Sequence, residues 1–243
     1  MNIIKLNATD STNSFLNELA KKRNLESPTI VIAENQIAGR GQRDSSWYFE
    51  PSKSLAMSVF VRPNQLLIQD QFYLSMVVAV SLEMVLKRYN LPKVKVKWPN
   101  DILSRSKKTA GILIENTVKS ELIYSSIIGI GLNVNNESIP HLARAGSMFT
   151  QTQVKFDKEK VALEIVDELL RNFKRLNNHD FYSIKQEYEA KLFRNGKVSS
   201  FKDVQGRLFQ GIIRGVNNCG QLMVETSLSQ NKLFWPKEVS LEY

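Results

Sequence analysis

Residues 93–115 read KVKVKWPNDILSRSKKTAGILIE, and the fold is easiest to read outward from this stretch. Lysine alternates with an apolar residue as far as Trp98, which predicts a β-strand with Lys97 and the other lysines on one face. Residues 111–114 turn apolar again and predict a second strand, buried inside a sheet. This stretch therefore predicts two strands, close in sequence, with polar residues between them.

The polar residues at the ends of these strands are the first chemical signal. Asn100 and Asp101 come directly after Pro99, where the first strand ends. An amide and a carboxylate at such a position can bind a metal–nucleotide complex or close a turn. Lys108 precedes the second strand, where it can neutralise an anion or protect an exposed sheet edge. Taken alone, these residues leave both interpretations open.

On either side, apolar strands are interspersed with amphipathic helices. Further strands are predicted at residues 3–6, 29–33, 55–61 and 123–130, and helices at residues 13–23, 69–89, 157–176 and 181–193. Asp157 has the side chain and position of an N-cap for the third helix. The pattern predicts the α+β class, with helices packed on a mixed β-sheet.

The character of the sequence changes near Asn195 and Gly196. Beyond this point, short alternating runs are separated by turn residues such as Gly206 and Gly220, which is typical of a small β-barrel. We therefore predict two domains: an α+β domain at residues 1–194 that carries these polar residues, and an SH3-like β-barrel at residues 195–243.

Composition limits the classes of function. The single cysteine, Cys219, cannot form an internal disulfide, and neither His141 nor His179 has the spacing of a zinc ligand. The most apolar run, residues 72–86, is shorter than the roughly 20 residues that a membrane span needs. No signal peptide precedes residue 10. We expect a cytoplasmic protein that does not associate with a membrane.

The chain carries a net charge of +9, from 33 basic and 24 acidic side chains. This excess favours anionic partners such as nucleic acid, phosphorylated ligands or an acidic protein surface, but it equally serves solubility. Charge alone does not choose among these classes.

Two glycine-containing motifs point to a ligand. Gly39-Arg40-Gly41-Gln42-Arg43 lies in a long polar loop at residues 39–53 that also holds Trp47. Glycine lets a backbone approach a ligand, and arginine offers a fork of donors for a carboxylate or phosphate. A second pair, Gly129 and Gly131, interrupts an apolar strand. The alternatives are a flexible basic surface loop and a β-bulge. No Walker P-loop is present.

Considered together, the motifs are more specific than any one of them. Their order along the chain is Ser-Thr-Asn at residues 11–13, Gln36 with Gly-Arg-Gly, Lys-Trp-Pro-Asn-Asp, Lys-x-Ala-Gly-Ile-Leu, and Gly-x-Gly-x-Asn-x-Asn. In this order they resemble the biotin–protein ligase family, also called biotin–[acetyl-CoA-carboxylase] ligases, over the whole chain. The resemblance implies that biotin and MgATP react to biotinyl-5′-AMP, and that a lysine of a biotin carboxyl carrier protein then receives the biotin.

The resemblance also implies roles for individual residues. Three are implied to be catalytic: Lys108, Arg40 and Asp101. Biotin is expected to contact Ser11, Thr12, Asn13, Gln36, Gly39, Arg40, Gly41, Gln42, Lys108, Gly111, Gly129 and Gly131. ATP is expected to contact Arg40, Arg43, Trp47, Lys97, Asn100, Asp101 and Asn133. No fixed metal site and no permanently bound cofactor are expected, because Mg²⁺ would enter with ATP, near Asp101.

The sequence departs from many relatives at Gln42, where an arginine is common. Glutamine cannot neutralise a phosphate, so the adenylate would be held less tightly unless Arg43 supplies the charge. We further expect no specific DNA binding, since the first motif at Ser11 leaves no room for an N-terminal helix-turn-helix; a homodimer is compatible with the sequence. The alternatives are a lipoate–protein ligase or octanoyltransferase-like enzyme, and a nucleic-acid-binding module.

Overall fold

A computed structural model of the chain describes residues 2–42, 45–140, 142–226 and 230–243. The described residues form five α-helices and two β-sheets, of seven and five strands. The helices are α1 (Thr12–Lys22), α2 (Gln71–Arg88), α3 (Met148–Thr152), α4 (Lys158–Asn177) and α5 (Phe181–Lys191). The strands of the first sheet are β1 (Asn2–Leu6), β2 (Thr29–Ala33), β3 (Ser54–Val61), β4 (Lys95–Lys97), β5 (Asp101–Ser104), β6 (Lys107–Lys119) and β7 (Leu122–Asn133).

This seven-stranded sheet has the order β1-β2-β3-β7-β6-β5-β4. Strands β1 and β2 are parallel, and the other neighbours are antiparallel. The longest pairing joins β6 to β7, from Lys119 opposite Leu122 to Ala110 opposite Leu132. A mixed sheet with packed helices confirms the predicted α+β class.

Strands β2 and β3 are buried along their whole length because helices cover both faces of the sheet. On one face, Leu16 of α1 packs in a cluster with Val31 and Phe60. On the other, α2, α4 and α5 cover a larger core that includes Ile30 and Met57. Burial on both faces explains why these strands are almost continuously apolar. It also fixes α1, whose first residues reach the ligand cavity described below.

The helix boundaries follow the expected end signals. Asp157 is the N-cap of α4, and its carboxylate accepts hydrogen bonds from the backbone N–H groups of Glu159 (2.8 Å) and Lys160 (3.2 Å). The N-cap prediction is therefore confirmed. Within the described ranges, no helix combines the length and the apolar character that crossing a membrane requires.

Strand β5 was not predicted from the sequence. It has four residues and is held between β4 and β6 by long-range pairing, which a local pattern does not reveal. The strand predicted to run to Trp98 ends at Lys97. Trp98 instead turns inward, and its indole Nε1 donates a hydrogen bond to the carbonyl of Gly220 (2.8 Å).

The five strands of the second sheet are β8 (Val198–Asp203), β9 (Leu208–Val216), β10 (Leu222–Thr226), β11 (Asn231–Phe234) and β12 (Val239–Glu242). This C-terminal sheet is antiparallel throughout, with the order β11-β10-β9-β8-β12. It confirms the small all-β unit expected after residue 194, whereas the domain boundary itself stays a prediction.

The turn before β10 packs the C-terminal sheet against helix α2. Gly220 has a φ of +88°, and a Cβ atom there would lie 2.3 Å from Cγ of Phe72 in α2. Only glycine allows both the backbone conformation and this close approach. A second contact joins the backbone N–H of Val216 to the carboxylate of Glu189 (3.0 Å). The two sheets thus meet beside Trp98, next to the predicted catalytic residues.

Candidate active site

A cavity of about 350 Å³ lies where the two sheets meet. Its size falls within the range of small-molecule sites. It is bounded by the start of α1, the glycine loop (residues 36–47), the β4–β5 junction, the middle of β6 and β7, and residues 236–241 of the C-terminal sheet. The predicted site residues in its lining are Ser11, Thr12, Asn13, Gln36, Arg40, Gly41, Gln42, Trp47, Lys97, Asn100, Asp101, Lys108, Gly111, Gly129 and Gly131.

One end of the cavity, which we call the neutral end, is built from buried polar side chains. Thr12, Asn13, Gln36 and Ser58 are each at most 9% exposed. The side-chain oxygen of Gln36 accepts a hydrogen bond from the backbone N–H of Thr12 (3.0 Å). The Ser58 hydroxyl lies 2.6 Å from Asn13 Oδ1 and 2.8 Å from Thr12 Oγ1. Because buried polar groups are stable only when bonded, these contacts fix the orientation of each side chain.

The start of α1 reaches this end because Ser11 is its N-cap. The Ser11 hydroxyl accepts a hydrogen bond from the backbone N–H of Ser14 (3.5 Å), and the helix begins at Thr12. The Ser-Thr-Asn motif therefore serves as a helix start and as part of the cavity wall.

Glycines in β6 and β7 leave room for two side chains. Gly111 lies opposite Gly131 in the sheet, and Cβ atoms at these positions would lie 3.0 Å and 2.4 Å from the indole of Trp47. A Cβ at Gly129 would lie 2.3 Å from the amide oxygen of Asn13. The glycines thus admit Trp47 and Asn13 into the cavity wall. Among the described residues, the buried Nε1 of Trp47 has no hydrogen-bond partner.

The opposite end, which we call the cationic rim, is organised around Asp101. The ammonium of Lys108 lies 2.7 Å from Oδ1 of Asp101, and that of Lys97 lies 4.0 Å from Oδ2. Burial lowers the pKa of Lys97; the carboxylate of Asp101 opposes this, and the charges of Lys108 and Arg144 add to it. The rim therefore holds more positive than negative charge next to the cavity.

An aromatic ring from the end of the described chain completes the rim. The ring of Tyr243 lies 5.6 Å from Nζ of Lys97 and 4.8 Å from Cζ of Arg144, both within cation–π range. Burial raises the pKa of Tyr243, and the carboxylate of Asp101 adds to the shift. Sequence reasoning missed Arg144 and Tyr243: the backbone carbonyl of Arg144 accepts a hydrogen bond from the N–H of Lys108 (2.7 Å), and Tyr243 arrives with the C-terminal sheet.

Arg40 also lines the cavity, with a side chain that is 51% exposed. Its Nη2 donates to Oε1 of Glu115 (3.0 Å), and its Nη1 donates to the hydroxyl of Ser14 (3.3 Å). The other oxygen of Glu115 accepts a hydrogen bond from Nδ2 of Asn13 (2.8 Å). Glu115 was also missed, although it ends the apolar run that the sequence singled out.

Some predicted residues lie away from the cavity lining. Asn133 donates its amide to the carbonyl of Gly146 (3.0 Å) and is 4% exposed. Gly39 packs against the glycine loop itself, since a Cβ there would lie 2.6 Å from the carbonyl oxygen of Trp47. Arg43 lies outside the described residues. No cluster of three or more potential metal-ligand side chains occurs in the part of the chain that the structure describes.

Comparison with known proteins gives a consistent result. Residues 6–133 match the family model described as the biotin/lipoate A/B protein ligase family. The bifunctional ligase/repressor BirA of Bacillus spizizenii is 30% identical over 96% of this chain and 72% of its own length. The biotin–[acetyl-CoA-carboxylase] ligase of Mycobacterium tuberculosis is 27% identical over 89% of this chain and 80% of its own length.

The fold agrees with solved structures. A biotin protein ligase from Aquifex aeolicus, in complex with biotin and ATP, superimposes with a TM-score of 0.81 and 26% identity. The match covers 99% of this chain and 98% of that one.

Proposed function

The chain belongs to the biotin/lipoate A/B protein ligase family, and from this premise we propose how its cavity carries out the ATP-dependent ligation of biotin to a protein. It is a biotin–protein ligase, with biotin and ATP as its substrates. One observation carries the assignment of roles: a single cavity joins a neutral, hydrogen-bonding end to a cationic rim. Biotin has a neutral ring and a carboxylate, and it must meet a polyphosphate between these two ends.

The neutral end suits the ureido ring of biotin. That ring offers two N–H donors and one carbonyl acceptor, and short hydroxyl and amide side chains can match them. Ser11, Thr12, Asn13 and Gln36 supply such groups on a buried wall, with no unpaired charge to desolvate. We assign the ring to this wall, which directs the carboxylate tail towards Arg40.

In the first step, a carboxylate oxygen of biotin attacks the α-phosphorus of ATP. A new P–O bond forms, the bond to the bridging oxygen breaks, and pyrophosphate leaves with the electron pair. Two unit charges 4 Å apart repel by about 4 kcal/mol at an effective dielectric of about 20, so positioned cations are needed. Arg40 and Lys108 both line the cavity and are the cations that we assign to this task.

ATP brings its own Mg²⁺, which would neutralise phosphate charge. The single carboxylate of Asp101 fits a metal that takes most of its ligands from phosphates and water. The ring of Trp47 lies 5.5 Å from Nζ of Lys108, and Asn100 also lines the cavity, so we assign the nucleotide to the space between Trp47 and the rim.

In the second step, the amine of an acceptor lysine attacks the carbonyl carbon of biotinyl-5′-AMP. A C–N bond forms, the C–O bond to the phosphate breaks, AMP leaves with the electron pair, and the amine loses a proton. Asp101 is our candidate for receiving that proton, since its carboxylate lines the cavity beside Lys108.

The proposal also includes the protein that accepts biotin. We assign it to the carrier domain of a biotin-dependent carboxylase, because the chemistry needs a protein lysine that can reach the rim. A cytoplasmic location agrees with Cys219, an exposed free cysteine. A homodimer stays a prediction, as does the absence of DNA binding.

Biotin-dependent exchange between ATP and pyrophosphate tests the first step, and transfer to a purified biotin carrier domain tests the second. We expect both reactions with biotin, and neither with lipoate or octanoate. Exchange that depends on lipoate or octanoate would favour the lipoate ligase alternative. No exchange with any acid, together with a salt-sensitive shift of DNA, would favour a nucleic-acid-binding module.

A further inference from the structure

Glu115 connects two residues of the cavity wall without lining the cavity itself. Its Oε1 accepts a hydrogen bond from Nη2 of Arg40 (3.0 Å), and its Oε2 accepts one from Nδ2 of Asn13 (2.8 Å). Arg40 and Asn13 both line the cavity, whereas Glu115 is not part of the lining. Any influence of Glu115 on a ligand must therefore pass through these two side chains.

The carboxylate is held on a rigid element. Glu115 lies in β6 opposite Ile127 of β7, within the longest strand pairing of the molecule. Its side chain is only 26% exposed. Arg40, in contrast, comes from the glycine loop, and its side chain is half exposed. A fixed carboxylate thus holds a half-exposed guanidinium whose other hydrogen bond, to the hydroxyl of Ser14, is longer (3.3 Å).

Glu115 also determines which atom of Asn13 points which way. A carboxylate only accepts hydrogen bonds, so the amide of Asn13 must present its NH₂ group to it. Nδ2 of Asn13 also donates to the carbonyl of Leu113 (3.3 Å), which leaves Oδ1 facing the hydroxyl of Ser58 (2.6 Å). Without the carboxylate, only the longer hydrogen bond to Leu113 would hold the NH₂ group of Asn13 on this side.

Arg40 keeps donors available while it is held. A guanidinium has five N–H groups, and the two contacts to Glu115 and Ser14 leave others for a ligand. Glu115 therefore does not compete for the whole side chain. It fixes the plane of the fork, and a planar fork recognises a carboxylate or phosphate only in the correct orientation.

We infer that Glu115 is a positioning residue that holds Arg40 and Asn13 in register, and so couples the glycine loop to the neutral end of the cavity. This inference rests on the proposed function. It predicts that Glu115 controls how tightly biotin and biotinyl-5′-AMP are held, through contacts that Glu115 does not itself make.

The test begins with Glu115→Gln, which keeps the size of the side chain but turns one acceptor into a donor that faces Arg40 or Asn13. We expect the KM for biotin and the release rate of biotinyl-5′-AMP each to rise by about tenfold, as for the loss of a charge-assisted hydrogen bond. Glu121→Gln is the matched control, because Glu121 lies on the same hairpin in its exposed turn. It should leave both quantities unchanged.

A double-mutant cycle then separates positioning from a merely structural role. If Glu115 acts largely through Arg40, Glu115→Ala should have a much smaller effect in an Arg40→Ala background than in the wild type. The same cycle with Asn13→Ala tests the other path, and effects of Glu115→Ala that are equal in the wild type and in both of these backgrounds would overturn the inference. Should Glu115→Ala fail to fold, as judged by thermal unfolding, Glu115→Gln in the same cycle carries the test.

The outcome is distinguishable from a failure of the proposed function. If the wild-type chain shows no biotin-dependent pyrophosphate exchange, the function is wrong. If the wild type is active and the Glu115 variants hold biotin and adenylate as tightly as it does, only the role of Glu115 is wrong.

Discussion

The two ends of the cavity arrange their polar groups in opposite ways. At the neutral end, Thr12, Asn13 and Gln36 are almost fully buried and bond to one another or to close neighbours. At the cationic rim, Lys108 is 37% exposed, and its closest anionic partner in the structure is Asp101. The polar side chains of the neutral end therefore bond within the protein, whereas the rim has more positive than negative charge.

The difference reflects what each end has to recognise. An uncharged ring offers little electrostatic attraction, so it must be selected by donors and acceptors whose orientations are fixed beforehand. A polyphosphate is attracted by positive charge from many directions, so the protein side chains that bind it can remain partly exposed. Substitutions at the neutral end should therefore change the binding of biotin. Substitutions at the rim should change the binding of ATP and the rate of the chemical step.

Lys108→Ala is expected to have the largest effect. Removing a cation that stabilises charge at the reacting phosphate costs about 10²–10³ in rate. Formation of biotinyl-5′-AMP should fall by this factor, while biotin binding measured by calorimetry changes little. Lys119→Ala, at the other end of β6, is the control. Near-normal pyrophosphate exchange in Lys108→Ala would remove this residue from the chemical step.

Alanine substitutions at the two glycines of β7 test which substrate binds at each end of the cavity. A methyl group at Gly131 would lie 2.4 Å from the ring of Trp47, and one at Gly129 would lie 2.3 Å from the amide of Asn13. Gly131→Ala should raise the KM for ATP by about tenfold or more, the scale of one lost stacking contact with a base. Gly129→Ala should raise the KM for biotin instead.

Steady-state kinetics with each substrate varied in turn checks this pair, and thermal unfolding confirms that both variants fold. If the two variants affect the same substrate, the division of the cavity into a biotin end and a nucleotide end is wrong.

Gln42 tests whether a further cation at this position of the glycine loop would help to hold the adenylate. Gln42 lines the cavity, and Gln42→Arg would add one charge-assisted hydrogen bond, worth about 1–2 kcal/mol, to the adenylate phosphate. The release of biotinyl-5′-AMP should slow by about tenfold, with transfer to the carrier retained. Gln42→Met serves as the uncharged control. Indistinguishable release rates in the wild type and Gln42→Arg would show that another cation already holds the phosphate.

Much of the fold was predictable because burial leaves a local trace. The continuous apolar runs of β2 and β3 and the stripe of α4 follow from covering both faces of one sheet. Strand β5 left no such trace, since its four residues depend on partners on both sides. Element type was thus visible wherever a whole face was buried.

The site was predictable where its residues form compact motifs, and not where distant segments meet. Ser58 could have been found, because it is a polar residue in the middle of the apolar strand β3. Glu115 has a weaker signal at the end of an apolar run. Arg144 and Tyr243 have none: Arg144 reaches the rim through backbone pairing with Lys108, and Tyr243 through the docking of Trp98 and Phe72 against Gly220.

The smallest expected effect concerns pH and Lys97. Burial lowers the pKa of Lys97, so its ammonium loses a proton at a lower pH than an ordinary lysine, whose pKa is about 10.4. The rim should therefore lose one positive charge as the pH rises through this lowered pKa, and the KM for ATP should rise by about a few-fold as that proton is lost, before an ordinary lysine loses its proton. Lys97→Arg should remove this increase, since arginine remains protonated throughout.

Lys95→Arg is the control: this residue lies on the same strand, and its ammonium donates to the carbonyl of Ala190 (3.2 Å). The same pH dependence of the KM for ATP in the wild type and Lys97→Arg would show that Lys97 does not contribute its charge to nucleotide binding.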